Sequence, residues 1–231
     1  MNQAPSEHPS IFSMKPVAHI HAPFGSKFGI PRQSGLTPSI HSVIVLENEF
    51  HREGILRGLE GFSHLWIIWY FSESACHPWT PMVRPPRLGG NQRVGVFASR
   101  SPFRPNPIGL SCVKMESIQD YTITVSGADL MNGTPILDIK PYIPYADSIS
   151  DALGGFTKTP WHTLQVDIST DIQTAIPAHL LPGLIEVLSH DPRPSYQNDP
   201  DRVYGFPFAD WDVKFTVIDQ TLRVIALVPL A

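Results

Sequence analysis

Three features of the 231-residue sequence predict a mainly β fold: a small barrel or closed sheet followed by a smaller α+β unit. The first is proline, 24 residues in all, about twice the usual share of roughly 5%. That density disfavours long helices and favours short strands joined by shaped loops. The second is a series of short segments alternating apolar and polar residues. The third is the Gly- and Pro-rich punctuation between them, the pattern of barrels and closed sheets.

Taken in order, Met1 to Ser13 is polar and expected to be loose. Lys15 to His21 sets Val17, His19 and His21 against Ala18 and Ile20, a first strand. A loop follows from Pro23 to Pro38, then a strand from Ser39 to Leu46. Glu49 to Leu56 is a short helical candidate, and His64 to Phe71 is a strand expected to be buried on both faces. Ser72 to Gly90 is irregular, and irregular segments this long inside a compact domain are usually functional or disordered. Arg93 to Ser99 reads as a strand, Arg100 to Pro107 as a proline-locked turn, and Ile108 to Ile118 as another strand. Tyr121 to Ser126 alternates without fault. Asn132-Gly133 predicts a hairpin turn between it and a strand over Pro135 to Tyr142. These elements place the barrel within residues 14–150.

From Ser148 to Thr163 the texture is loop-like, and Gln165 to Ile168 is a short strand. Leu180, Leu184, Val187 and Leu188 fall at helical spacing, with Pro182 forcing a kink or a late start. Trp211 to Ile218 and Leu222 to Val228 form a terminal hairpin across Asp219-Gln220. Residues 163–231 are thus expected to be the smaller α+β domain.

Hydrophobic residues make up 42% and charged ones 16% of the chain, the balance of a folded globular protein. A formal net charge of −4 argues by itself against nucleic-acid binding. Cys76 and Cys112 make no disulfide framework. No signal peptide is visible at the start, and the longest apolar run, Leu65 to Phe71, is too short to cross a bilayer. The expectation is a cytoplasmic protein with no membrane partner.

Several chemistries lack a signature. No Gly-x-Gly-x-x-Gly follows a strand, and no Walker A loop exists. His19 and His21 share a strand face but lack a third ligand, so no metal site is expected. Ser99 and Ser101 sit in no nucleophile elbow.

Charge distribution is more telling than its sum. From Ser74 to Met115 there is no Asp or Glu, while Arg84, Arg87, Arg93, Arg100, Arg104 and Lys114 all fall inside. Arginine suits phosphate because its planar fork donates two bonds at once; a solvated basic face is the plainer alternative. Between Arg100 and Gly109, Pro102, Pro105 and Pro107 fix φ and remove three donors. Arg100, Arg104 and Asn106 are thereby presented on a stiff loop with little entropy left to lose. In a strand, Asp138 and Lys140 face one way and Leu137 and Ile139 the other. They read either as an ordinary ion pair or as a proton-accepting carboxylate with its charge partner.

Together, Gly29 to Gln33, Gly58 to Trp66, Arg84 to Gly90, Arg93 to Ser111 and Asp138 to Tyr142 resemble the TsaA-like family, whose bacterial TrmO members are tRNA (adenine-N6)-methyltransferases. The resemblance runs from Met14 to Ser148, and Asp191 to Tyr196 with the last hairpin is similar to the C-terminal extension of bacterial members. It implies a non-Rossmann barrel using S-adenosyl-L-methionine and a homodimer. Its implied substrate is threonylcarbamoyl-adenosine beside the anticodon of tRNA, methylated on N6. Implied donor-binding positions are Pro31, Arg32, Gln33, Arg100, Leu110 and the backbone of Ala128, Asp129, Leu130 and Met131. They extend to Ser72 and Glu73, where bacterial members commonly carry a His-Gln-like pair. Asp138 or Tyr142 would assist removal of the N6 proton, which carbamoylation makes more acidic, with Lys140 and Arg104 placing the threonyl carboxylate or a phosphate. Arg84, Arg87 and Arg104 would contact the anticodon stem-loop, and Trp79 and Phe103 are candidates to stack on unpaired bases, core packing being the alternative. A non-catalytic barrel that binds S-adenosylmethionine or RNA is the second reading.

Overall fold

The computed structural model describes residues 11–158, 162–193, 197 and 199–230. In chain order the elements are β1 (Ala18–His21), β2 (His41–Leu46), β3 (His64–Tyr70), β4 (Met82–Val83), β5 (Val94–Gly95), β6 (Ile108–Gln119), β7 (Thr122–Ser126), β8 (Pro135–Pro141), α1 (Pro144–Asp147), β9 (Gln165–Asp167), α2 (Thr170–Ala175), α3 (Leu181–Ser189), β10 (Tyr204–Phe208), β11 (Trp211–Ile218) and β12 (Thr221–Pro229).

Six strands close into a barrel in the order β1-β2-β7-β6-β3-β8, with every pairing antiparallel. Closure leaves no free sheet edge. The alternation seen in the sequence is what fills the barrel: Ala18, Ile20, Ile44, Leu46, Leu65, Ile67, Trp69, Val113, Ile123, Val125 and Ile136 all turn inward and are buried. The expected fold class, a small β-barrel with a smaller C-terminal α+β part, is therefore the one observed.

The C-terminal sheet runs β10-β11-β12-β9, with β9 parallel to β12. Its core, built on Phe206, Phe208, Val213, Phe215 and Leu222 with Leu184 and Leu188 of α3, also takes in Phe24 and Ile40 from the loop after β1. The long loop over 22–40, which connects β1 to β2 of the barrel, thus packs into the second core and ties the two together.

Several expectations are corrected. Glu49 to Leu56 forms no α-helix: a single 3-10 turn, Asn48–Phe50, gives way to turns in which Gly54 adopts φ +81°. The strand expected from Arg93 to Ser99 shrinks to β5, paired only with β4, before a 3-10 turn at Val96–Ala98. β3 buries one face only; Leu65, Ile67 and Trp69 are inside while the alternate residues are half-exposed. Asn132-Gly133 does turn, yet it makes no hairpin, because β7 pairs with β2 and β6 while β8 closes the barrel between β1 and β3. The turn bonds instead to β1, Gly133 N–H donating to Ile20 O at 2.8 Å. Pro182 resolves as a late helix start. Local sequence pattern marks neither β10 nor α2. Gly205 and Pro207 disguise β10, which tolerates proline because it lies on a sheet edge.

Candidate active site

The candidate site begins where the barrel wall splits. β6 pairs with β3 along residues 108–114, but with β7 only from Lys114 onward. The reason lies at Gly127, whose φ of +74° steers the chain away from β6 just after Ser126. A notch opens between β6 and residues 127–131, and residues 33–35 wedge into it. Gly35 N–H donates to Gly127 O at 2.8 Å. Cys112 N–H donates to Ser34 Oγ at 3.2 Å, which satisfies a donor that β7 has left unpaired. The backbones pack so closely that a Cβ on Gly127 would lie 3.2 Å from Gly35 Cα.

Asp129 lies at the mouth of this notch. Its neighbours Ala128 and Leu130 are buried in the barrel core, so only its side chain and the local backbone are available to a ligand. Ser111 Oγ donates to Asp129 Oδ1 at 2.5 Å and accepts from Trp69 Nε1 at 3.0 Å. Burial pushes the Asp129 carboxyl above the usual carboxylate range. Its bond from Ser111, its own backbone N–H, the charge of Arg100 and the backbone of Ser34 all pull the other way without cancelling the shift.

Arg100 reaches the same place from the proline-locked loop, its Nη1 donating to Gln33 Oε1. Arg32, half-buried, points to the opposite side: its Nη2 donates to Arg193 O at 3.1 Å and, at 3.5 Å, to Asp191 O. Burial lowers the Arg32 pKa, with Asp191 opposing the shift and Arg87 adding to it. Three consecutive residues thus connect the notch to three parts of the molecule. Pro31 before them is buried.

Other expected site residues lie on the outer barrel wall. Asp138 and Lys140 share one side of β8, and Tyr142 follows just past its end. Lys140 Nζ sits 2.8 Å from Asp138 Oδ2, and Ile139 N–H donates to Asp138 Oδ1 at 2.9 Å. Tyr142 packs against Trp66, ring centroids 5.7 Å apart. Ile68 of β3 pairs with Asp138 on one side and with Leu110 on the other, so Leu110, 52% exposed, belongs to this wall. Two strand spacings, roughly 10 Å, separate it from Asp138. Met131 is half-buried beyond the notch. Ser72 and Glu73 are exposed on the 3-10 turn after β3. That turn is held near the proline loop by Phe71 N–H donating to Pro107 O.

The basic stretch divides. Arg84 and Arg93 are exposed, while Arg87 Nη1 donates to Thr157 O at 3.4 Å. Lys114 pairs with Glu116. Arg104, expected on RNA, turns inward: its Nη2 donates to Ser99 O at 2.9 Å and Val96 O at 3.3 Å. It clamps the loop that presents Arg100. Trp79 and Phe103 are exposed, not packed in the core.

The sequence reading missed Ser34, Ser111 and Trp69 as parts of the site. Ser111 lies beside Leu110 but on the opposite face of β6, and a buried serine in an apolar strand was the available signal. His19 contacts Glu47, and among the described residues no group of three His, Cys, Asp or Glu side chains could hold a metal. Cys76 and Cys112 are both free.

Comparison with known proteins follows the same outline. The family model described as the tRNA-methyltransferase O N-terminal domain matches residues 19–148, and that of the TrmO C-terminal domain matches residues 162–230. A protein of Escherichia coli (strain K12) named tRNA (adenine(37)-N6)-methyltransferase is 38% identical over 233 residues, spanning 95% of this chain and 99% of its own. One of the same name from Eikenella corrodens is 46% identical, over 68% of this chain and 91% of its own. A crystal structure of TrmO from Pseudomonas aeruginosa aligns with a TM-score of 0.79 at 31% identity, covering 94% of this chain and 98% of that one. By sequence along both parts and by fold, the chain belongs to the tRNA-methyltransferase O family.

Proposed function

We propose that this protein is a tRNA methyltransferase that transfers the methyl group of S-adenosyl-L-methionine to N6 of threonylcarbamoyl-adenosine next to the anticodon. The observation that carries the reading is the notch itself. Gln33, Arg100 and Asp129, far apart in sequence, meet at a break in the barrel wall lined by backbone.

The residues present fit the donor. Its amino-acid end is a zwitterion and its sulfur is cationic; Arg100 can take the carboxylate, and the part-desolvated Asp129 favours a nearby positive charge. Gln33 and the 127–131 backbone offer amide donors and acceptors. When bound, S-adenosylmethionine supplies an activated methyl group. The protein's own task is then largely positioning. On the outer wall, Asp138 or Tyr142 assists departure of the N6 proton. Lys140 holds the threonyl carboxylate or a phosphate, and exposed Arg84 and half-buried Arg87 with Trp79 and Phe103 receive the anticodon stem-loop. Arg104 supports this surface from within.

The protein works in the cytoplasm as a homodimer on this reading. Exposed apolar side chains at Leu110, Phe97, Tyr145 and Leu153 favour a partner surface, and no described helix is long and apolar enough to cross a membrane. The deciding experiment is mass analysis of nucleosides from tRNA carrying or lacking the threonylcarbamoyl group, after incubation with the protein and isotope-labelled donor. Methylation confined to the modified tRNA is expected. Donor binding without transfer would instead mark a non-catalytic module.

A further inference from the structure

A cavity of about 210 Å³ lies in the C-terminal part, lined by Phe28, Arg193, Arg202, Tyr204 and Phe206 among others. It is smaller than the roughly 300–1,000 Å³ of sites for whole small-molecule ligands, so it suits a fragment of a larger molecule.

Its chemistry is unusual for a packing defect. Arg193, with a side chain only 9% exposed, forms a two-point ion pair with Asp191, Nε at 2.8 Å and Nη2 at 2.9 Å. That leaves its Nη1 buried with no hydrogen-bond partner among the described residues. The hydroxyl of Tyr204, a residue 8% exposed, is likewise buried with no hydrogen bond among the described residues, although it lies near enough to Arg193 to help hold that guanidinium's pKa up. Arg202, which is exposed, holds its guanidinium 5.5 Å from the Tyr204 ring centre. Buried polar groups left unpaired cost about 1–3 kcal/mol each, and two donors meeting at one cavity point to an acceptor that enters it. The Asp191 carboxylate is already taken up by Arg193, so the charge of Arg202 is available. Of the acids flanking Arg202, Asp199 turns back to accept the Asp201 N–H at 3.1 Å.

We infer that this cavity seats one backbone phosphate of the RNA substrate, held by Arg193 Nη1, Tyr204 Oη and Arg202, with half-exposed Phe28 beside the sugar or base. The inference rests on the tRNA reading above and adds to it a contact outside the barrel. Its placement is apt, because Phe28 lies three residues before Pro31 and Arg32 donates to the carbonyl of Arg193. A strand anchored here runs beside the donor loop.

The test compares tRNA binding by fluorescence anisotropy, across a salt series, for the full-length protein and the variants Arg202→Ala and Tyr204→Phe. Arg202→Ala should bind about tenfold more weakly, the order of one charged hydrogen bond. Its log-affinity against log-salt slope should be shallower by about 0.7–0.9, the share of one phosphate. Tyr204→Phe should also bind more weakly while melting at the same or a higher temperature, because it removes only an unpaired buried hydroxyl. Adenosylmethionine binding should be unchanged in both. Wild-type affinity and slope in both variants would overturn the phosphate seat while leaving the methyltransferase reading intact. Wild-type protein that binds no tRNA would sink that reading and this one with it. Thermal stabilisation by inorganic phosphate that Arg202→Ala abolishes, with tRNA binding unaffected, would show a free-anion site and overturn the RNA assignment.

Discussion

The hydroxyl of Ser111 donates to Asp129 across the notch at 2.5 Å while the Trp69 indole donates to the same oxygen at 3.0 Å. A barrel-core tryptophan thereby sets the position of a carboxylate at the candidate donor site. Ser111→Ala breaks both bonds and leaves the buried Trp69 N–H unpaired. The expected cost is about 1–3 kcal/mol in urea unfolding, together with weaker donor binding in calorimetry. Unchanged donor affinity would detach Asp129 from the donor.

Asp129 itself works against the free fold. Its carboxyl is raised by burial, so the folded protein holds that proton more tightly than the unfolded chain. The resulting stability is fully present below the unfolded pKa and is lost as pH rises through the folded pKa. Asp129→Asn should therefore melt at the same or a higher temperature near neutrality, yet bind the cationic donor at least about tenfold more weakly. Donor affinity of the wild type should begin to fall with decreasing pH earlier than an ordinary aspartate would allow. A flat pH profile from neutrality down to the usual carboxylate range would remove Asp129 from donor binding.

Gly127 is the hinge of the notch. An alanine there must hold φ near +74° with its Cβ 3.2 Å from Gly35 Cα. Left-handed geometry alone costs roughly 1–2 kcal/mol, and the loop over 33–35 must also retreat. Gly127→Ala should lose stability by at least that amount and donor affinity with it. Retained affinity would show that the wedge of Ser34 and Gly35 does not shape the donor site.

Asp138 and Lys140 form an ion pair with side chains 48% and 59% exposed, and such pairs contribute little to stability, about 0–1 kcal/mol. Asp138→Asn should therefore leave the melting temperature unchanged while lowering kcat on threonylcarbamoyl-tRNA by about 10²-fold or more, the scale of a lost general base. Donor affinity should hold. Normal turnover would pass the role to Tyr142.

Arg104 offers the opposite contrast. Its guanidinium holds the carbonyls of Val96 and Ser99, so Arg104→Ala should loosen the proline loop at its root. Faster proteolysis between Val96 and Arg104, with weakened donor binding through a mobile Arg100, is the expected result. Loss of tRNA affinity with an intact loop would instead return Arg104 to the RNA surface.

The fold was legible wherever local pattern decides. Alternation marked β1 and β7, strand-like runs between Gly and Pro marked β2, β3, β6 and β8, and Leu184, Val187 and Leu188 marked α3; on β8 a register shift puts Ile136 inside while Asp138 faces out. It failed where a tertiary partner outweighs propensity. Val94 to Ser99 carries a strand pattern, yet Arg104 gathers its carbonyls into a turn. Asn132-Gly133 carries a hairpin signal, yet barrel closure sends the two flanking strands to different neighbours. Tyr204 to Phe208 contains Gly205 and Pro207, and only its edge position makes it a strand.

For the site, the sequence alone determined the chemistry on offer: a stiff loop carrying Arg100, and an acid and a lysine on one side of β8. These follow from residue type, proline geometry and strand alternation, all local properties of the chain. Only the tertiary structure decided which groups meet. Gln33 and Arg100 are 67 residues apart, and Arg32 and Asp191 are 159 apart. Such contacts depend on strand register and on where the barrel wall opens, and both arise from the packing of the whole core.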